Sequence, residues 1–400
     1  MAGARYRNPS QIRTILAGGI LVAGITSGNP VRVADTVPVP CQVSALETAM
    51  WNAGRSDRLS LAANCTYVLD QGLPAVTQDL AIVGNGATLE RSFAPGTPTF
   101  TILESTCCAL DVSGLNFRNG NNAITVNGGS LTVTGGTFTG NAGTDGGAIA
   151  DPASGLDGPA VSNATFIANR ATDVGGAIYN NSAGNGVDVT NCKFSGNEAA
   201  GDGGAIYDFA ALGDTVSGSV FRANSAEDGG ALLLDPLFGD LSRDVIVGNT
   251  AHADAGGVFS VFDVTIKDSR LIGNHAAGGG GGLYVDYQGF LSSVTDTTFN
   301  ANTASDGGAI YNALQFIGID LTRVIVTGNR ASARGGGIYN QGAMDVATSQ
   351  IIGNSAISGG GGIYDDGSQF GGTTTLTTTA VRANVPDNCE PVGSITGCVG

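Results

Sequence analysis

Acidic side chains at a regular spacing are the residues of this sequence best suited to chemistry. Asn180, Asp208, Asp235, Asp263, Asp286, Asn312, Asn340 and Asp365 each follow a Gly-Gly-small-apolar mark at a short interval. If successive marks stack about 4.8 Å apart, Asp208, Asp235, Asp263 and Asp286 form a strip of four carboxylates. Such a strip has two uses. Oxygen-rich sites bind calcium, and two carboxyls about 5–5.5 Å apart (retention) or 6.5–9.5 Å apart (inversion) hydrolyse a glycosidic bond. The plainer reading is that Asp and Asn fill one bend, where both bond their own backbone. Asn shares the place with Asp, which favours that plainer reading. No catalytic residue is therefore assigned, and no cofactor is called for beyond calcium as the candidate ligand of the strip.

Other chemistry has less behind it. A polysaccharide lyase needs a base, yet Lys193 and Lys267 are the two lysines and no basic cluster recurs on one face. His252 and His275 lack a third ligand at metal-binding spacing. No nucleophile elbow or phosphate loop is present, and Gly278–Gly282 belongs to the repeat. One stretch departs from the pattern. Between Leu232 and Thr297 the text loosens and Leu233, Phe238, Phe262, Tyr287 and Phe290 enter, with Asp244 in a column otherwise made of small residues. Aromatic rings beside acids suit a carbohydrate platform.

The elements that would hold these residues follow from composition and period. Gly supplies 64 of 400 residues without a Gly-X-Y period, which excludes collagen. With 42% hydrophobic and 13% charged residues the chain is not disordered. The formal charge of −16 repels phosphate backbones, so no nucleic-acid partner is expected. An apolar residue, two variable residues and Asn recur at Phe138–Asn141, Phe166–Asn169, Phe194–Asn197, Phe221–Asn224, Ile246–Asn249, Leu271–Asn274, Phe299–Asn302, Val326–Asn329, Ile351–Asn354 and Val381–Asn384, a mean period of about 27 residues. The Gly-Gly mark alternates with it, ending at Ile149, Ile178, Ile206, Leu232, Phe259, Leu283, Ile310, Ile338 and Ile363. Short alternating runs between the marks read as strands, and Gly and Asn supply left-handed corners. Three short strands and three bends per repeat predict an all-β, right-handed parallel β-helix. It has about eleven coils over residues 76–385, an inward Phe/Ile/Val stripe and an inward Asn ladder.

The ends need covers, because open strands pair with other chains. Ser44-Ala-Leu-Glu47 reads as a capping box for a helix over 45–53, with Leu46, Ala49, Met50 and Ala53 on one face. Residues 1–34, with Arg5, Arg7 and Arg13 before the apolar run 15–25, read as a secretory signal peptide. Residues 35–75 form the N-terminal cap and 386–400 the C-terminal cap. Cys41–Cys65 and Cys389–Cys398 are expected disulfides, in keeping with a secreted or extracellular protein. Cys192 falls in the small inward column and is expected to be a free thiol, while Cys107 and Cys108 form either a vicinal disulfide or two thiols. No membrane span is expected.

The alternating Gly-Gly-Ala-Ile and Phe-x-x-Asn marks resemble the repeats of polymorphic outer-membrane proteins. With Cys41-Gln-Val-Ser-Ala-Leu46, Asn64-Cys-Thr-Tyr67 and Pro386-Asp-Asn-Cys389, the chain is similar to exported bacterial β-helix repeat proteins with a pectin-lyase-like fold. Taken together, the repeat, the export signal and the aromatic and acidic residues lead to the expectation of a monomeric interaction or adhesion rod, secreted or at the cell surface, with glycans or surface proteins as partners. The alternative is a polysaccharide lyase or glycoside hydrolase using the acidic strip.

Overall fold

Alternation along each short run decides which side chains turn inward. Asp214–Ser217 is typical: its first and third side chains are buried, its second exposed and its last half-buried. In a computed structural model, residues 35–152, 157–210, 212–235, 237–286, 291–313, 318–367 and 373–398 are described, and every structural statement below concerns them. The signal peptide expected over 1–34, and Tyr287 and Phe290, lie outside these residues.

Each coil turns on left-handed residues such as Asn191, Gly196 and Gly203, with φ of 53°, 63° and 65°. Gly204, next to the last of these, is glycine for another reason. A Cβ there would run into the Gly230 carbonyl oxygen of the next coil. Equivalent strands of successive coils pair in parallel, giving an all-parallel β-solenoid with four sheets of 14, 13, 8 and 12 strands. In the order the chain visits them within one coil, Asp188–Thr190 lies in the first sheet and Lys193–Ser195 in the second. Glu198–Ala199 lies in the short third sheet and Ile206–Asp208 in the fourth. The expected count of about eleven coils falls slightly short. Thr36–Val39 and Asp57–Leu61, within the expected cap, already pair as the opening strands of the first sheet.

The covers differ in detail from the expectation. Helix α1 spans Val43–Asn52 and buries Leu46 and Met50. The capping box does not form: Gln42 is the N-cap without a side-chain cap, and Ser44 lies inside the first turn. Disulfides join Cys41 to Cys65 and Cys389 to Cys398, with Cα separations of 5.7 and 6.2 Å. Cys107 and Cys108 are bonded to one another. Cys192 is free and buried, and burial pushes its thiol up to about 11.

Three ladders hold the coils in register. Phe117, Phe138, Phe166, Phe194 and Phe221 stack with ring centres 4.7–5.0 Å apart. Beside them runs the Asn ladder. Asn249 accepts from both the backbone N–H and the Nδ2 of Asn224, and donates to Oδ1 of Asn274 and to the Phe221 carbonyl. The Asn side chains are therefore buried bonding groups, and the left-handed corner falls on the residue before each, as at Ala168 and Gly196. The third ladder is the small inward column. Cys192 N–H donates to Ser219 Oγ, Ser219 N–H to Asp244 Oδ1, Asp244 N–H to Ser269 Oγ, and Ser269 N–H to Thr297 Oγ1. Asp244 is buried in this column. Burial pushes its carboxyl up to about 7 against the pull of the Ser219 and Ser242 backbone groups.

Candidate functional site

Strand register places the four aspartates apart. In the fourth sheet the column through Asp208 reads Asn180, Asp208, Leu234, Ser260, Val285, Asn312, Asn340 and Asp365. Asp235 and Asp286 each come one residue after this column. Asp263 belongs to the first sheet, paired with Phe238. Ile206, Leu232, Val258 and Leu283 are the paired inward marks, and Asp235 and Asp286 stand three residues after theirs where Asp208 stands two after Ile206. A single strip of Asp208, Asp235, Asp263 and Asp286 is therefore not what the fold builds. Among the described residues no group of three or more His, Cys, Asp or Glu is arranged to hold a metal ion. His275 pairs in register with Thr250 and bonds Thr303 at 2.8 Å, apart from His252.

Asp208 fills its bend, as the plainer reading has it, and is sealed there. It accepts from Ala210 N–H at 2.8 Å, Val187 N–H at 2.7 Å and the Asn180 amide. The bond to the residue two places on is an Asx turn, repeated by Asn180, Asn340 and Asp365 in the same column. Beside it lies Asp214, also buried, which shares the Val187 N–H at 3.2 Å. Burial raises both carboxyls, and the neighbouring Asp208 charge raises Asp214 further. Asp235 is half-buried, and burial followed by the Asp208 charge pushes it up to about 6. Asp286 is raised by burial and then by Asp254.

Period-counting passed over the outer surface of the fourth sheet. Tyr179 and Tyr207 stack 5.9 Å apart. After Leu233, Phe259, Tyr284, Tyr311, Tyr339 and Tyr364 form a second stack with centres 4.6–5.4 Å apart. The signal was in the text, since an aromatic follows most Gly-Gly-Ala-Ile marks. Acids border this column on both sides. Before it, Asp228 N–H donates to Asp202 Oδ1, Asp254 N–H to Asp228 Oδ1, and Arg334 N–H to Asp306 Oδ1. After it come Asp235, Asp286 and Asp366. Because stacked rings use their faces on one another, the column offers ring edges and hydroxyls to a ligand.

Free ring surface lies just beyond. Asn181, Ser182, Ala183, Phe209, Ala210, Asp235 and Phe262 line a cleft of ≈ 470 Å³. Phe209 is 52% exposed. Phe262, flagged with the divergent stretch, is thus in the cleft, whereas Leu233 fills the gap between the two ring stacks and Phe238 sits on the first sheet. Apolar rings with an amide, a hydroxyl and a carboxylate at their margin can stack a sugar ring and bond its hydroxyls.

Four segments match the Chlamydia polymorphic membrane protein repeat: residues 163–181, 191–208, 296–313 and 323–341. Each runs from the corner before a second-sheet strand, through the Asn rung and the Gly-Gly corner, to the fourth-sheet strand. No curated protein matches the chain, and no solved structure does.

Proposed function

We propose that this β-solenoid, a repeat protein similar to the polymorphic membrane proteins in its matched coils, is an extracellular or cell-surface interaction rod whose cleft at Phe209 and Phe262 binds glycan. The observation that carries the reading is the cleft. It is a concave patch with a half-exposed ring on an otherwise repetitive surface, placed where the repeat text begins to loosen. The repeat similarity supports a surface role. Three disulfides support an oxidising compartment, and no helix among the described residues is long and apolar enough to cross a membrane. Binding is favoured over hydrolysis because Asp208, the acid whose charge raises the cleft's Asp235, is spent on three backbone and amide partners.

A glycan array probed with the purified rod tests this. Binding that is lost in Phe209→Ala with Phe262→Ala, while the melting temperature holds, is the expected result. Protease shaving of intact cells of the source organism should remove the rod. An array with no hits, or hits that survive both substitutions, would refute the cleft. New reducing or unsaturated ends appearing in the bound glycan would establish the enzyme alternative.

A further inference from the structure

Two buried carboxyls meet at the corner where the fourth sheet hands the chain to the first sheet of the next coil. Asp208 ends the strand Ile206–Asp208 and Asp214 opens the strand Asp214–Ser217. Their exposures are 0% and 2%. Oδ2 of Asp208 and Oδ1 of Asp214 both accept the Val187 N–H, at 2.7 and 3.2 Å. A Cβ on Gly186 would collide with that Asp214 oxygen and lie 3.1 Å from that Asp208 oxygen, which places the two oxygens at one spot. Their partners are unequal. Asp208 has the Val187 N–H, the Ala210 N–H and the Asn180 amide. Asp214 has a share of one N–H, and its buried Oδ2 has no partner.

No cation offsets two charges here. Asp151 lies two coils before Asp208 in its column, Asp235 follows the strand paired after it, and Asp188 and Asp240 flank Thr215. Asp157 bridges Asn185, and Asp263 pairs with Phe238 beside Gly239, the partner of Asp214. All are acids, and among the described residues no Lys, Arg or His pairs with Asp208 or Asp214. Tyr207, on Asp208's own strand, turns to the outer face and stacks on Tyr179. Two carboxyls in contact in a dry interior do not both ionise. Asp208, with the better partners, keeps the charge, and Asp214 keeps a proton that it donates to Asp208. The chain between them carries Phe209 and Ala210, which line the cleft. That one hydrogen bond therefore closes the base of the connection that forms the cleft wall.

We propose that the Asp208–Asp214 pair is a proton-held clasp for the Phe209 wall of the cleft, released when hydroxide takes the shared proton as water. On release Asp214, with the poorer partners, is the one that yields. The bonds from Leu212 N–H to the Gly184 carbonyl and from Gly186 N–H to the Gly213 carbonyl go with it. Phe209 and Ala210 then keep only their tether at Asp208. The effect on glycan binding rests on the reading of the cleft given above, and the clasp itself does not.

Amide exchange and glycan affinity are followed from about pH 8 to about pH 9.5, above the range in which Asp235 and Asp244 titrate. The proteins are the wild type and Asp214→Asn, whose amide donates to Asp208 at every pH. Protection of the Leu212 and Gly186 N–H, corrected for the intrinsic pH dependence of exchange, should fall about tenfold in the wild type and less than about twofold in the variant. Protection of the Asn224 N–H, in the Asn ladder, should hold in both. Glycan affinity should fall about threefold or more in the wild type over the same range and stay level in the variant. If the variant does not fold, the contrast between Leu212 and Asn224 in the wild type decides. Level protection of Leu212 in the wild type, or an equal fall in Asp214→Asn, would overturn the clasp. Glycan binding that weakens while Leu212 stays protected would overturn it too. An array without glycan hits would refute the glycan reading alone, and the exchange data would still decide the clasp.

Discussion

The substitution Asp244→Ser should stabilise the rod, by an amount that grows with pH. Asp244 occupies a rung where its neighbours Ser219 and Ser269 each accept an N–H from the coil before and donate to the carbonyl two residues back. Asp244 matches the first half, through Oδ1 and the Ser219 N–H at 2.7 Å, but its buried Oδ2 has no partner. Burial holds the carboxyl at about 7, against about 3.9 in an unfolded chain. A raised folded value means the native state keeps its proton where the unfolded chain has lost it. The stabilisation is complete below about pH 4 and is lost as pH rises through 7. At about 1.4 kcal/mol for each pK unit, the loss reaches about 4 kcal/mol. The serine variant carries no such dependence at this rung. The small void its shorter side chain leaves costs the same at every pH. Urea midpoints of the two proteins, taken from pH 4 to 8.5, should therefore diverge steadily between pH 4 and 7 and run parallel above. The other raised acids, Asp208, Asp214, Asp228 and Asp235, titrate alike in both proteins and cancel in the difference. A difference that stays flat across this range would show that Asp244 is ionised in the fold with a partner that supports it.

Four further outcomes follow from the ladders and the site. Asn249→Ala strips partners from the Asn224 N–H, the Asn224 amide and the Phe221 carbonyl, and should cost about 2–4 kcal/mol by thermal or urea unfolding. Asp208→Ala leaves the Ala210 N–H bare inside the bend and should cost about 1–3 kcal/mol, whereas Asp235→Ala removes a carboxyl pushed up to about 6 by burial and the Asp208 charge and should stabilise the rod, more at pH 8 than at pH 4. Cys192 should resist iodoacetamide in the native protein at pH 8 and label completely in urea, as mass spectrometry would read. Millimolar calcium should leave the melting temperature within about a degree, since Asp208, Asp235, Asp263 and Asp286 are not gathered into one site.

What could be read from the sequence was whatever repeats with a rigid chemical reason. A Phe every coil must stack on the next Phe, and an Asn every coil must bond the next Asn, so those columns announce the solenoid and its register. The caps were legible because Cys41 and Cys65, or Cys389 and Cys398, sit close in sequence at the ends of the repeat. The capping box misled because Ser44-Ala-Leu-Glu47 is a local pattern, and the chain entering from Val39 through Cys41 starts the helix earlier than that pattern requires.

The acid strip failed for a physical reason that applies to any solenoid with loops of unequal length. A strand turns alternate side chains in and out, so a one-residue slip exchanges a sealed position for a solvated one. Asp208 and Asp235 differ by that single step relative to their own strands: one closes an Asx turn in the dry interior, the other borders the ring column. The spacing carried the difference, since Asp208 lies two residues after Ile206 and Asp235 three after Leu232, and the pairing of Ile206 with Leu232 shows that no bend absorbs the extra residue. The outer ring column was hidden by the opposite effect. Tyr179, Tyr207, Tyr284, Tyr311, Tyr339 and Tyr364 recur as faithfully as the inner Phe. Yet a residue next to an inward one lies on the outer face of the sheet, so this second regular column stands outside the core even where, as at Tyr339 and Leu233, its neighbours cover it. On this face Arg334 pairs with Asp306 of the coil before and lies over the Tyr339 and Tyr364 rings, so the chain covers its own column at that coil.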